Sequence, residues 1–208
     1  MHWFQWLAII GLSVCLLSCI YHFYRIISLG NPPEYARRAG HIGKAVRYSF
    51  TGAMSPKVKE SAYMHMPTYI AGIIYHIGTF LAIFIFIIAL FGIWPTGLVM
   101  NIAAGITLLS ALCGFGILIK RISKKELRTL SNPDDYISNL LVNAFQLFTA
   151  LAMIDPVFIP VYFISSAVLL LYFPLGKLKH AVYFFAARYH LGYFYGWRNV
   201  WPPRPIKK

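Results

Sequence analysis

Five apolar stretches, separated by short polar or proline-containing segments, organise the chain. They run over about 3–27, 68–91, 98–119, 137–154 and 157–184, close to the ~20 residues that a helix needs to cross a bilayer. Pro95 and Pro156 lie in the short connections, where they end helices. Residues 131–135 offer a capping side chain and two carboxylates, which suit a helix start. The pattern predicts an all-α integral membrane protein, a bundle of five transmembrane helices.

The first apolar stretch resembles a signal peptide in position only. It has no basic segment before it, no clear small-residue cleavage site, and an apolar run longer than a signal-peptide core. We therefore expect a retained helix. The prediction is one membrane domain over 1–208, with a cytoplasmic loop at 29–67 and a cytoplasmic tail at 186–208.

All nineteen lysine and arginine residues fall on one side of this five-helix topology. The connections at 92–97 and 153–157, on the other side, contain none. Because basic residues are retained in the cytoplasm, we expect the N-terminus outside and the C-terminus in the cytoplasm. The net charge of +13 is then explained by topology and by anionic lipid. Nucleic-acid binding is disfavoured, since it requires a basic stripe on a soluble domain.

Two histidines lie within apolar stretches, where ionisable side chains are costly and mark candidate functional sites. His76 and His180 reach comparable depth in the cytoplasmic half if the fifth helix continues to about residue 189. Two neutral imidazoles facing each other are the axial ligands of a haem b iron. Gly72 and Gly78 would let a flat macrocycle approach the second helix. His22 is the reserve candidate for a haem ligand, or else an interfacial residue. The alternative to the haem site is that His76 and His180 hydrogen-bond to neighbouring helices.

Other histidines leave the number of haems open. A second haem at His65 and His190 is one possibility, and the other is that both are interfacial, near lipid phosphates or haem propionates. Arg25, Arg47, Lys177 and Lys179 are candidates to neutralise propionates, and Pro174 is expected to kink the fifth helix before His180. No catalytic set of side chains can be assembled, so the chemistry would belong to the cofactor.

Two short motifs and one loop carry a family resemblance that extends over most of the chain. Tyr75-His76-Ile77-Gly78 resembles the first haem-ligand segment of the gamma subunit of respiratory nitrate reductase. Residues 170–180, an apolar run with a proline, lysines and His180, resemble the last ligand segment of that family. Residues 54–69 are more similar to the related membrane subunits of heterodisulfide reductases and sulfite-reduction complexes.

The resemblance implies a haem b membrane subunit of a respiratory complex in the prokaryotic cytoplasmic membrane. It would carry electrons between membrane quinone and a cytoplasmic iron–sulfur subunit, as part of a hetero-oligomeric oxidoreductase. His76 and His180 would be the ligands of the haem nearer the cytoplasm. The second haem of nitrate reductase has no counterpart here, because Ile85, Phe86 and the neighbourhood of Tyr162 replace its ligands. A quinone site near the outer face is then in doubt.

The basic and aromatic residues of the loop and tail suggest a docking surface for the partner, or an aromatic belt at the membrane interface. The alternative function is a haem-free anchor that docks a soluble redox complex to the membrane. A small transporter is disfavoured, since the chain lacks the buried charged pairs of a substrate path.

Overall fold

The computed structural model describes residues 1–30, 33–56, 58 and 64–203, and its regular elements are all helices. The α-helices are α1 (Trp3–Ser28), α2 (Ile42–Phe50), α3 (Met66–Leu90), α4 (Gly97–Ser123), α5 (Lys125–Thr129), α6 (Pro133–Ile154), α7 (Ile159–Tyr172) and α8 (His180–Trp197). Short 3₁₀ turns cover Gly52–Met54, Pro156–Phe158 and Lys177–Lys179.

Four of these helices, α1, α3, α4 and α6, are long and apolar enough to cross a membrane. Their bounds lie within four residues of the first four predicted spans. A fifth span exists only if α7 and α8 are counted together as one broken span. The prediction of an all-α, multi-pass membrane protein is confirmed at this level, by helix length and composition.

The fifth apolar stretch is broken into two helices around Pro174, where a kink is expected from the sequence. Helix α7 ends at Tyr172, and α8 begins at His180. Pro174 has no backbone N–H to donate to the preceding turn, and its ring crowds that turn. Gly176 follows within a turn that packs on Tyr172. His180 therefore begins a new helix, α8, which continues past residue 189 to Trp197, so the fifth stretch reaches that far as two helices instead of one.

The chain divides into two compact units. The bundle unit comprises Met1–Ser18 and Pro67–Leu178, and the loop–tail unit comprises Cys19–Met66 and Lys179–Lys208. Helix α1 contributes to both, its first part to the bundle unit and its last part to the loop–tail unit.

The bundle unit has an aromatic and alanine-rich core. Phe86 and Phe145 both pack on Tyr162, with ring centroids 6.4 and 6.1 Å away. Helix α1 joins this core through Phe4, which stacks on Phe163 at 5.7 Å. The buried members are Phe4, Ala8, Ala82, Phe86, Ala89, Val142, Phe145, Ala152, Tyr162, Phe163 and Leu169. Small residues among the large rings let these membrane helices approach closely.

The predicted start of the fourth span is confirmed by a capping box. The Asn132 side chain accepts from the Asp135 N–H at 3.0 Å, and the Asp135 carboxylate accepts from the Asn132 N–H at 3.0 Å. Pro133 occupies the first helical position, where a missing N–H costs nothing. The Asp135 carboxylate also pairs with Lys177, and it lies 3.5 Å from the Arg121 guanidinium.

The loop–tail unit is built on a close antiparallel contact between α2 and α8. Gly192 and Gly196 form a G-x-x-x-G pair on α8, and a Cβ added at Gly192 would lie 2.5 Å from the Val46 Cα. The Ser49 hydroxyl donates to the Arg188 carbonyl at 2.7 Å. The predicted loop thus contains a helix, and the predicted tail is helical as far as Trp197.

The end of α8 is tied to the segment before α2. The Arg198 guanidinium contacts both carboxylate oxygens of Glu34, at 2.8 and 2.9 Å. The Trp197 indole donates to the Ala36 carbonyl at 2.6 Å, and the Ala39 N–H donates to the Trp197 carbonyl at 2.8 Å. These bonds close the unit around the α2–α8 pair.

Candidate functional site

His76 lies on the exposed, apolar face of α3. Its side chain is exposed, and so are its helical neighbours Ile73, Ile77 and Phe80. Because a helix turns by about 100° per residue, Gly78 lies on the opposite side, where α3 meets α4. The imidazole can therefore be reached by a group lying against the outside of α3.

The backbone just before His76 is held by a buried polar group, the Tyr75 cluster (Tyr75, Thr79, Ser110 and Gln146). The Tyr75 carbonyl accepts from the Thr79 hydroxyl at 2.7 Å, the Ser110 hydroxyl at 3.0 Å and the Gln146 amide at 3.0 Å. Ser110 and Gln146 are both fully buried. This carbonyl belongs to the peptide that links Tyr75 to His76. Side chains of α4 and α6 thus fix the position of α3 at the histidine.

The sequence analysis missed the Tyr75 cluster. The sequence does contain a pattern that indicates it, since polar residues recur every three or four positions along α6. They are Asn139, Asn143, Gln146 and Thr149. In a membrane, such residues hydrogen-bond between helices.

The two glycines near His76 have different surroundings. Gly72, one turn before His76 and on nearly the same face, has nothing within 4 Å of the place where a Cβ would stand. A Cβ at Gly78 would instead lie 2.1 Å from the Ser110 Cβ. Gly78 therefore serves the contact between α3 and α4, and its predicted role in admitting a macrocycle is wrong. Gly72 remains suited to that role.

His180 is the first residue of α8, and its side chain is exposed. His22, the reserve ligand, lies on α1 with its Nδ1 3.3 Å from the Tyr183 hydroxyl. His76 belongs to the bundle unit, whereas His180 and His22 belong to the loop–tail unit. The pairing of His76 with His180 across one iron therefore stays a prediction.

The loop–tail unit also contains a cavity of about 490 Å³, with His190 in its wall. His65 stands one residue before α3 and is not among the residues that line this cavity. His65 and His190 therefore do not line the same cavity, and their pairing in a second haem stays a prediction. Within the described residues, no group of three or more histidine, cysteine or acidic side chains could hold a metal ion.

The basic residues proposed near haem propionates are not equivalent. Arg25 and Arg47 are exposed, whereas Lys177 is paired with the buried Asp135 carboxylate. That ion pair holds the Lys177 side chain at the start of α6. Several residues of the predicted docking surface, among them Lys57, Lys59, Tyr63 and Arg204, lie outside the described residues.

Comparison of the chain with family models, with curated proteins and with solved structures gives no match. The resemblance stated from the sequence motifs therefore stays a prediction.

Proposed function

We propose that this protein is the haem b subunit of a quinone-linked respiratory complex in the prokaryotic cytoplasmic membrane. It exchanges electrons between membrane quinone and a cytoplasmic iron–sulfur partner. In this proposal α7 and α8 together complete a fifth span, with the N-terminus outside and the C-terminus in the cytoplasm. His76 and His180 are the axial ligands.

The observation that carries the proposal is the placement of His76 on the outside of α3. The imidazole is exposed among apolar side chains, and Gly72 leaves open space one turn away on nearly the same face. The Tyr75 cluster holds the adjacent peptide. An accessible imidazole on a well-fixed helix is what ligation of a flat macrocycle requires.

His180 offers a second exposed imidazole, and the exposed Arg25 and Arg47 offer cations for carboxylates. These exposed side chains support the proposal of a bis-histidine haem. Haem, when bound, supplies a one-electron carrier whose potential depends on its ligands and its burial. The chain's own contribution is ligation, depth and exclusion of water by the apolar surfaces of the spans.

The test is the spectrum of the protein purified from a haem-supplied host. We expect a dithionite-reduced b-type spectrum that disappears in His76→Ala and His180→Ala. His41→Ala is the matched control, because the His41 side chain makes no capping hydrogen bond. In His76→Gly, added imidazole should restore the absorbance, which separates loss of a ligand from loss of the fold.

A blocking substitution tests the Gly72 face independently of the ligands. Gly72→Leu should lower haem content, whereas Gly105→Leu, which also points into open space, should keep it. Wild-type protein without haem absorbance would sink the proposal. The haem-free anchor predicts that outcome, together with a partner complex that stays attached after both histidines are removed.

A further inference from the structure

The cavity of the loop–tail unit is walled by three helices. Three residues near the end of α1, Gly30 just beyond it, the last residue of α2 and four residues of α8 line an open cavity of about 490 Å³. This lies within the roughly 300–1,000 Å³ of small-molecule sites. The lining residues are Phe23, Ile26, Ile27, Gly30, Phe50, Phe185, Ala186, Tyr189 and His190.

The wall is mostly aromatic and aliphatic. Each of the three helices contributes at least one aromatic ring, and Phe50 stacks on Phe185 with 6.4 Å between centroids and 28° between planes. The polar side-chain groups of the lining are the Tyr189 hydroxyl and the His190 imidazole. Such a wall suits a flat apolar ring that carries a hydrogen-bonding oxygen.

The wall is held in place by the contact between α2 and α8. Ser49, next to Phe50, donates to the carbonyl of Arg188, next to Tyr189. Gly192 lies against the Val46 backbone one turn further along α8. These contacts fix α2 against α8 next to the cavity, and they bring Phe50 beside Phe185 in its wall.

The cavity is also accessible from its surroundings. Ile27 is 63% exposed and Phe185 is 62% exposed. Helix α1 is apolar and long enough to cross a membrane, so its surroundings include lipid. The cavity is therefore placed to receive a molecule dissolved in the membrane.

We propose that this cavity binds a membrane quinone, a flat apolar ring with carbonyl oxygens. The ring packs against Phe50 and Phe185, and the His190 imidazole donates a hydrogen bond to one carbonyl. A second haem fits less well, because the lining contains one histidine and a six-coordinate haem iron needs two ligands. The inference rests on the proposed function for its biological purpose, since that function requires a quinone.

The test uses menadione, a naphthoquinone ring without an isoprenoid tail, and the full chain in phosphatidylcholine nanodiscs. Affinity is measured by quenching of tryptophan fluorescence, with empty nanodiscs as the blank. A photoreactive azido-naphthoquinone, followed by peptide mass spectrometry, locates the site. We expect labelling on the α1 and α8 peptides that line the cavity.

Two neighbouring alanines on α8 give a matched pair. Ala186 lines the cavity, whereas Ala187 is exposed and does not line it. We expect Ala186→Phe to weaken menadione binding at least ~10-fold by filling the site, and Ala187→Phe to leave it within about 2-fold. His190→Leu should cost roughly 10-fold through one lost hydrogen bond, and His190→Gln should restore part of it.

Equal affinities for the two phenylalanine variants would overturn the inference, and so would labelling confined to other peptides. A phospholipid that co-purifies and is not displaced by menadione would overturn it as well, by identifying an acyl chain as the occupant. Haem absorbance is recorded on the same samples. Loss of the proposed function, seen as haem-free wild type, is thus distinguished from failure of the quinone site.

Discussion

Adding one methyl group at Gly78 should separate two membrane helices. In Gly78→Ala the new Cβ would lie 2.1 Å from the Ser110 Cβ and 2.2 Å from its Oγ. These atoms are next to the α4 backbone, so rotation of a flexible side chain cannot make room. The hydrogen bond from Ser110 to the Tyr75 carbonyl, 3.0 Å long, would be lost with the contact.

The change in the free energy of unfolding is the sum of two destabilising terms and one stabilising term. Overpacking costs about 1–3 kcal/mol, and the interhelical hydrogen bond contributes about 0.6 kcal/mol. Replacing a helical glycine by alanine recovers about 0.5–1 kcal/mol. The net expectation is a destabilisation of about 1–3 kcal/mol. In Gly105→Ala the added Cβ has nothing within 4 Å, so we expect only the stabilisation that comes from replacing a helical glycine by alanine.

The free energy of unfolding is measured by titrating dodecylmaltoside micelles with sodium dodecyl sulfate and following circular dichroism. In the double variant Gly78→Ala/Ser110→Gly, the side chain that the new Cβ on α3 would meet is removed from α4. We therefore expect the double variant to be more stable than Gly78→Ala alone. Two results would refute the reasoning. One is a Gly78→Ala protein as stable as Gly105→Ala, and the other is a double variant whose effects simply add.

The remaining predictions concern the loop–tail unit. Gly192→Ala should lower the midpoint of thermal unfolding, because its Cβ would meet α2 backbone, whereas Gly43→Ala, in open space on α2, should not; equal midpoints would contradict this. The Ala36 N–H and the Arg198 guanidinium hold the pKa of Glu34 below its ordinary 4.5. The resulting stability is present above pH 4.5 and is lost as the pH falls through the lower, folded-state pKa. The midpoint advantage of wild type over Glu34→Gln should therefore shrink in acid, and a constant advantage from pH 7 to pH 3.5 would argue against it.

The bounds of the first four long helices could be predicted, because each is close to the apolar length that a bilayer crossing requires. The start of α6 could be predicted because Asn132 and Asp135 satisfy each other three residues apart. Both are local properties of the sequence.

Long-range contacts could not be predicted in the same way. The glycines at 192 and 196 form a visible motif, but nothing local indicates that their partner is α2, some 150 residues earlier along the chain. Gly78 is close to His76 in sequence, and for that reason it was expected to admit a cofactor. It lies on the opposite side of the helix, however, and packs against Ser110. The histidines illustrate the same limit, since their positions in the sequence do not indicate which side chains they meet.

Both units are closed by segments from the last third of the chain, and this affects the order of assembly during synthesis. In the bundle unit, Gly11 of α1 packs on the Ala167 backbone, where a Cβ would lie 3.2 Å from the carbonyl oxygen. In the loop–tail unit, α2 packs on α8. At roughly 5–20 residues per second, α1 and α2 emerge from the ribosome several seconds before α7 and α8. The packing faces of α1 and α2 must therefore stay without their final partners until the C-terminal third is made.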